Sequence, residues 1–414
     1  MTDNTIYAPF EGIIPNSLFA ELVAAPPYDV LSSSEAKKLA CNNPYSFLHI
    51  SKAEIDFEDN TSPYEDKVYE KAAENFRNLL TNSVLRTTQK PCFYVYQMVI
   101  GNHIQTGLAV SASVKAYLEG RIKRHELTRI VKEDDRVKQI KTVGAQTGPA
   151  LLINKSIPSI KKLLKDITAT APLFSVEDNN KVTHNLWIID KDEDIALIRD
   201  EFAKQNVAYI ADGHHRSAAA SRIAKETNTE DTARFLAVTF FEDEMKIMDY
   251  NRVVFDLNNH SKEEFLSLLQ KDFALTKTDT KKPTQKGDFT MYLDKEWYKL
   301  TYIGTPLGTD PVSLLDVNIL SQKVLDNILG IKDLRNSERI DFIGGIRGAE
   351  EIEKITDIHS GVGFMLYPTS VSELLAVADN NMLMPPKSTW FEPKLADGII
   401  SKATIETFEI KKSA

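Results

Sequence analysis

Residues 207–223 read VAYIADGHHRSAAASRI. The first five residues are apolar and suit a β-strand, whereas the alanine-rich second half favours a helix. Gly213 stands between the two halves and allows the tight turn that joins them. The sequence therefore predicts a strand that ends at Ala211 and a helix that begins near His214 or His215.

The polar residues of this turn suit phosphate binding. Free N–H groups at the start of a helix favour an anion, and Arg216 can add a bidentate guanidinium. His214 and His215 are further donors, and their charge changes near neutral pH. Asp212 is the one acid among these donors, so it could hold a metal or a proton. We expect phosphate to bind at Gly213 and the three residues after it; the alternative is a polar turn that only caps a helix.

Residues 212–216, called the box below, resemble the second signature box of the ParB/sulfiredoxin superfamily. Chromosome-partitioning ParB proteins carry Gly-Glu-Arg-Arg there, sulfiredoxins carry Gly-Cys-His-Arg, and free L-serine kinases carry a box close to this one. His214 stands where sulfiredoxins have their nucleophilic cysteine, so reduction of a sulfinic acid is not expected. The property common to the three branches, and implied here, is phosphate binding at this turn.

Five further stretches resemble one long bacterial and archaeal family of uncharacterised function, often labelled ParB-like. They are Pro27–Val30, Asn43–His49, Arg124–Thr128, Asp249–Val254 and Met384–Thr389. The chain is therefore identified as a member of that family over most of its length. The free serine kinases share with it only the box and its surroundings.

Composition narrows the class of protein. The chain has 414 residues, 42 % of them hydrophobic, and a net charge of −9 with a pI near 5.5. It has no basic tail and no clear helix-turn-helix, so a nucleic-acid partner is not expected. Cys41 and Cys92 make neither a disulfide framework nor a zinc site. No signal peptide is evident and no apolar stretch approaches the ~20 residues of a membrane span, which predicts a cytoplasmic protein without a membrane partner.

The alternation of strand-like and helical segments predicts an α/β fold of the mixed α+β class, built around a ParB/sulfiredoxin-like core. We expect an N-terminal flanking layer over residues 1–114, the phosphate-binding core over 115–256 and a C-terminal layer over 257–414. Thr276–Gly287 is the best candidate for a linker.

A second candidate cluster lies upstream of the box, where the superfamily has its first signature. In the free serine kinases a glutamate upstream of the box takes the proton of the substrate hydroxyl, and the resemblance implies that role for Glu126. Arg124, His125 and Arg129 are candidates for binding a substrate phosphate or carboxylate. The alternative is a helix-capping glutamate among surface arginines.

Two later stretches add candidate substrate-binding residues. Asn251 and Arg252 follow Asp249 in a predicted strand, where polar side chains could contact a substrate. Lys387 and Ser388 lie in a proline-rich loop that could cover a site. Ordinary strand-edge turns and packing explain these residues equally well.

The leading hypothesis is a nucleotide-dependent phosphotransferase similar to the free serine kinases. Phosphate would pass from ADP or ATP, with Mg²⁺ near Asp212, to a small hydroxylated metabolite such as L-serine. Glu126, Asp212 and His214 are the candidate catalytic residues. Two alternatives stay open: a nucleotide-binding regulatory protein without turnover, and a phosphoester hydrolase. Formation of a homo-oligomer is also left open.

Overall fold

The computed structural model of the protein describes residues 5–404. The chain divides into two compact units. Unit 1 comprises Met1–Arg124, Thr128–Met245 and Pro393–Ala414, and unit 2 comprises His125–Leu127 and Lys246–Glu392.

The strands are, in chain order, β1 Tyr7–Ala8, β2 Gly12–Pro15, β3 Leu85–Thr87, β4 Phe93–Ile100, β5 His103–Ser113, β6 Ile122–Lys123, β7 Ala145–Gln146, β8 Ala150–Asn154, β9 Phe174–Glu177, β10 Thr183–Ile189, β11 Ala208–Asp212, β12 Arg234–Phe241, β13 Ile247–Met248, β14 Tyr250–Val254, β15 Phe273–Lys277, β16 Asp288–Leu293, β17 Glu296–Tyr302, β18 Ile340–Gly344, β19 Val362–Leu366, β20 Trp390–Phe391 and β21 Ser401–Ala403.

The α-helices are α1 Ala20–Val23, α2 Ser33–Ala40, α3 Leu48–Ser51, α4 Asp66–Thr81, α5 Val114–Leu118, α6 Ile130–Val143, α7 Pro158–Thr168, α8 Asp192–Lys204, α9 His214–Thr227, α10 Lys262–Leu269, α11 Asp316–Leu320, α12 Gly348–His359 and α13 Val371–Asp379. A π-helical segment, Ser321–Asp326, continues α11. Within residues 5–404, no helix combines the length and the apolar character needed to cross a bilayer.

Unit 1 is built on a nine-stranded sheet of order β6-β11-β8-β12-β5-β4-β10-β9, in which β1 also pairs with β5. Strand β11 runs parallel to β6 and antiparallel to β8. Apolar residues of α5, α7, α8 and α9 share one core with the central strands. Helix α6 packs on α9 through Val137, Ile140, Ala219 and Ile223. The strand and helix that flank the box are therefore both anchored in the interior of unit 1.

The first helices of the chain form a second core in unit 1. Apolar residues of α2, α3 and α4 are buried together with those of β2 and β3. Helix α2 begins with a capping box, in which the Ser32 hydroxyl accepts the Glu35 N–H and the Glu35 carboxylate accepts the Ser32 N–H. Strand β21 pairs with both β2 and β7, so the last described residues belong to this unit.

Unit 2 contains a six-stranded sheet of order β15-β17-β16-β19-β14-β18. Helix α12 packs on it, since Ala349 and Ile352 share a core with Val253, Ile343 and Met365. Strand β14 lies between β18 and β19 and is antiparallel to both.

The structure confirms the mixed α+β class and corrects two details of the sequence prediction. The strand before the box ends at Asp212 rather than Ala211, and the helix begins at His214 as predicted. Thr276–Gly287 is not a linker between units, because Thr276 and Lys277 pair with β17 inside unit 2.

The layers expected over residues 1–114, 115–256 and 257–414 stay predictions, and the two compact units are divided at other positions. Unit 1 ends at Met245 and resumes at Pro393. The resumption depends on the pairing of β21 with β2, which joins residues almost 400 positions apart in the chain, such as Ile13 and Ser401. No local sequence pattern predicts a contact between residues so far apart in the chain.

Candidate functional site

The box forms the turn between β11 and α9. The pairing of β11 with β8 shifts register between Ile210 and Asp212, and such a bulge redirects the side chains that follow it. Gly213 then adopts a left-handed conformation with φ of +90°. A Cβ atom at this position would lie 3.0 Å from the Ala150 Cα and 3.1 Å from the Arg216 Nε. The turn therefore requires glycine for both conformation and space.

The N-terminus of α9 presents backbone N–H groups at the box. Its N-cap residue, Gly213, has no side chain with which to cap this 14-residue helix. Its first residues are His214, His215 and Arg216, whose N–H groups have no acceptor within the helix. The Gly213 carbonyl, by contrast, already accepts the Ser217 N–H at 3.0 Å. Backbone N–H groups at the positive end of a helix dipole are suited to an oxyanion.

Asp212 lies among positive charges. Its Oδ2 is 3.3 Å from a nitrogen of Arg216 and 3.6 Å from the Lys394 Nζ, and 32 % of its side chain is exposed. Burial alone would raise the pKa of Asp212, but the charges of Lys394, Arg216 and His214 outweigh it and hold that pKa well below its ordinary value. Asp212 is therefore an ionised carboxylate throughout the neutral pH range.

Arg216 turns back into unit 1. One terminal nitrogen donates to the Pro149 carbonyl, and the other contacts Asp212 and lies 4.0 Å from an oxygen of Asp29. These groups hold the guanidinium in one place. A phosphate would have to share the guanidinium with them, so the bidentate role expected of Arg216 stays a prediction.

The two histidines differ in their surroundings. His214 is buried, with 5 % of its surface exposed, whereas His215 is half-buried. The Nε2 atom of His215 accepts the Arg129 N–H at 3.0 Å, which ties the box to the start of α6. An imidazole that accepts at Nε2 is neutral and carries its proton on Nδ1.

A small cavity lies beside the box. Its lining includes Tyr28, Arg136, Gly148, Arg216 and Asp397, all of which belong to unit 1. Arg136 stacks on the Tyr28 ring, with its Cζ 4.0 Å from the ring centre, and donates twice to Asp135.

The cavity residues were not predicted as site residues from the sequence. Arg136 was visible only as one charge in a basic stretch, and Tyr28 only as part of a family motif. Asp397 gave no signal, since nothing in the sequence indicates that residues 393–397 return to the box.

Asp397 is the most buried carboxylate of this region, with 2 % of its surface exposed. Its Oδ2 accepts the Tyr28 N–H at 3.2 Å. Burial raises the pKa of Asp397 to about 7; Arg216 opposes this rise and Asp29 adds to it. The carboxyl group can therefore exchange a proton near neutral pH.

The upstream candidates are divided between the units. Arg124 and Arg129 are exposed residues of unit 1; Arg124 lies over the Tyr117 ring at 5.4 Å, and Arg129 caps α6. His125 and Glu126 belong to unit 2, where the His125 carbonyl accepts the Met384 N–H at 2.8 Å. The roles expected of these four residues stay predictions.

The remaining candidates all belong to unit 2. The Asn251 amide donates to Asp249 at 2.6 Å and accepts the Leu366 N–H at 3.1 Å, inside the sheet. The Ser388 hydroxyl donates to the Pro385 carbonyl at 2.5 Å. Arg252 donates to the carbonyl of Lys387, so the structure does bring the strand and loop candidates together.

Comparison with protein families identifies the chain. A model described as protein of unknown function (DUF1015) matches residues 7–318, which is most of the sequence. The chain belongs to the DUF1015 family. No curated protein matches it. Membership of DUF1015 places the box and the cavity in a family whose chemistry is not assigned.

Solved structures resemble the chain only distantly. A free serine kinase in complex with AMP is 12 % identical, covers 68 % of this chain and 86 % of its own, and gives a TM-score of 0.34. SbnI from Staphylococcus aureus, with a C-terminal truncation, is 12 % identical over 70 % and 85 %, with a TM-score of 0.38. A conserved hypothetical protein from Pyrococcus furiosus is 11 % identical over 73 % and 98 %, with a TM-score of 0.35. Scores this low do not establish a shared fold.

Proposed function

We propose that the box binds the phosphate groups of a nucleotide and that this DUF1015 protein is a nucleotide-dependent phosphotransferase. Its acceptor would be a small hydroxylated metabolite; L-serine is the acceptor implied by the resemblance of the box to that of the free serine kinases. One observation carries the proposal: a helix begins directly after a left-handed glycine, and two cations, Lys394 and Arg216, lie beside the Asp212 carboxylate at that turn.

Backbone donors favour a phosphate over other anions at this turn. Successive N–H groups at a helix start converge on one point, where a tetrahedral oxyanion can accept several of them. Lys394 supplies a positive charge next to these donors, as lysine does at other phosphate sites. The N-cap residue of α9 is a glycine and carries no capping side chain.

The donor set also fits the magnesium ion that usually accompanies a nucleotide. Mg²⁺ is held by one or two ionised carboxylates together with phosphate oxygens and water. Asp212 is ionised, and Asp29 lies at the same guanidinium. Bound there, the ion would neutralise charge on the nucleotide phosphates.

Two carboxyl groups are candidates to accept the proton of the acceptor hydroxyl. The resemblance names Glu126, and Asp397 is a second candidate because it lines the cavity beside the box and titrates near neutrality. Changing each to its amide separates them. The variant that lacks the true base should bind nucleotide normally and lose transfer.

The direct test is an incubation of the purified protein with a matrix of nucleotides and hydroxylated amino acids, followed by mass spectrometry. Phosphotransfer gives a phosphorylated acceptor in an amount equal to the nucleotide consumed. Release of inorganic phosphate without a phosphorylated acceptor would identify a hydrolase instead. Nucleotide that binds but is not consumed would identify a regulatory protein without turnover.

A further inference from the structure

Arg252 is a completely buried cation in unit 2. It lies in the middle of β14, opposite Phe342 of β18 and Phe364 of β19, and 1 % of its surface is exposed. One terminal nitrogen donates to the Tyr250 carbonyl and the other donates to the Lys387 carbonyl at 3.0 Å. The Nε atom has no partner within residues 5–404.

The charge of Arg252 is not balanced inside the protein. No carboxylate among residues 5–404 forms an ion pair with it. The acids nearest in sequence have other partners: Asp249 accepts from Asn251, and Asp256 accepts from Arg339 at 2.8 Å. Carbonyl oxygens satisfy hydrogen bonds but do not neutralise a charge, and an unpaired charge in an apolar interior is strongly unfavourable.

Burial disfavours the charged form of Arg252. It lowers the pKa of the guanidinium to about 10, and only Tyr250 opposes this effect. Arg252 nevertheless remains protonated at neutral pH. The interior of unit 2 therefore holds a full positive charge that an arriving anion would stabilise.

Aromatic rings surround this charge. The Arg252 Cζ lies 5.4 Å from the centre of the Phe342 ring, and Tyr250 packs edge-on against both Phe342 and Trp390. The Lys387 Nζ is 5.7 Å from the centre of the Tyr250 ring, and Lys387 has a positive φ of 60°. Low polarity strengthens an ion pair formed here, and a second cation, Lys387, lies over the adjacent Tyr250 ring.

We propose that Arg252 is the anchor of an oxyanion-binding site in unit 2, which takes the carboxylate or phosphate group of a small molecule. The anion accepts the Nε–H and a terminal N–H of the guanidinium, the edge that carboxylates and phosphates engage with two parallel hydrogen bonds. Tyr250 and Phe342 form its apolar wall. This site is independent of the box, and its existence does not require the phosphotransferase proposal.

Arginine side-chain NMR on the full-length chain tests this site directly. The protein is labelled with ¹⁵N-arginine, and the Nε–Hε resonance of Arg252 is assigned by its loss in Arg252→Met. If that variant does not fold, Phe342→Leu assigns the resonance instead, because it removes a nearby ring current. Inorganic phosphate and acetate are then titrated separately, with sodium chloride at equal ionic strength as the reference.

The proposal predicts a saturable downfield shift of the Arg252 resonance with phosphate or with acetate, and none with chloride. The anion that saturates at lower concentration identifies the ligand class. The shift should persist in Arg216→Lys, which alters the box and leaves unit 2 unchanged. An Arg252 resonance that responds to neither anion, or equally to chloride, would overturn the proposal and leave Arg252 a structural tie between β14 and the loop at Lys387.

Discussion

Two arginines, one in each unit, lie in opposite electrostatic surroundings. Arg216 contacts Asp212 and Asp29, and the buried Asp397 is near enough to be affected by its charge. Arg252 has two backbone carbonyls and an aromatic ring, without an acid. The positive charge of arginine is therefore balanced by more than one carboxylate in unit 1 and by none of the described carboxylates in unit 2.

The difference separates positioning from binding. Several carboxylates hold a guanidinium in one position. Such a guanidinium also stabilises the box and the cavity beside it. A guanidinium without a counter-charge is held less favourably and gains most from an external anion. Arg216 is accordingly expected to organise the box, whereas Arg252 is expected to meet a ligand.

The largest effect expected from the excess negative charge around Arg216 is on the ionisation of Asp397. Its pKa of about 7 in the folded chain lies above the ordinary value of 3.8, so folding favours the protonated acid. The folded state therefore loses stability as the pH rises from about 4 to about 7, and the loss is complete above that range. A shift of this size corresponds to roughly 4 kcal/mol as an upper limit.

Asp397→Asn should remove this pH dependence. Urea unfolding of both proteins at about pH 4 and about pH 8 measures it, because the amide cannot ionise. We expect the variant to be more stable than the wild type at the higher pH and similar to it at the lower pH. If the stability of the two proteins changed with pH in the same way, Asp397 would have an ordinary pKa. The account of excess negative charge around Arg216 would then be wrong.

Substitution of each arginine by methionine compares the two surroundings directly. Arg216→Met leaves Asp212 and Asp29 without their shared partner and should cost about 3 kcal/mol. Arg252→Met removes an unpaired charge and two hydrogen bonds, effects that oppose each other, so the net change should be below about 1 kcal/mol. Chemical denaturation at neutral pH in chloride buffer measures both. Equal losses of stability in the two variants would contradict the difference proposed between the two arginines.

Gly213 sets the geometry of the box, and Gly120 offers a matched control. Both have positive φ, +90° and +74°, but an added Cβ would meet Ala150 and Arg216 at Gly213 and nothing within 4 Å at Gly120. Gly120→Ala should cost about 1 kcal/mol from conformation alone, and Gly213→Ala about 2 kcal/mol or more. Thermal unfolding ranks the two variants, and a Gly120 variant at least as destabilised as the Gly213 variant would contradict the close packing of the turn.

Much of the fold around the box could be predicted from the sequence. The change from an apolar run to an alanine-rich run correctly marks β11 and α9, because strand and helix propensity are local properties. Gly213 was predicted as the turn residue for the same reason.

The cavity and the division into units could not be predicted, because they depend on contacts between distant residues. Asp397 meets Tyr28 across 369 positions. Arg252 was a candidate from its neighbours in sequence, but its lack of a counter-charge depends on the packing of the sheet and is visible only in three dimensions. Whether a charge is paired depends on the whole fold, whereas helix and strand propensity depend on the local segment.

Binding of ADP to the box, measured by calorimetry, tests the central claim. His215→Gln keeps a side-chain oxygen to accept the Arg129 N–H and adds no charge, so it should bind ADP as the wild type does. His215→Glu places a carboxylate at the N-terminus of α9, which stabilises a helix but repels phosphate. We expect ADP to bind this variant at least about tenfold more weakly, a difference of about 1.4 kcal/mol. Undiminished binding by the glutamate variant, or no binding by the wild type, would contradict phosphate recognition at the box.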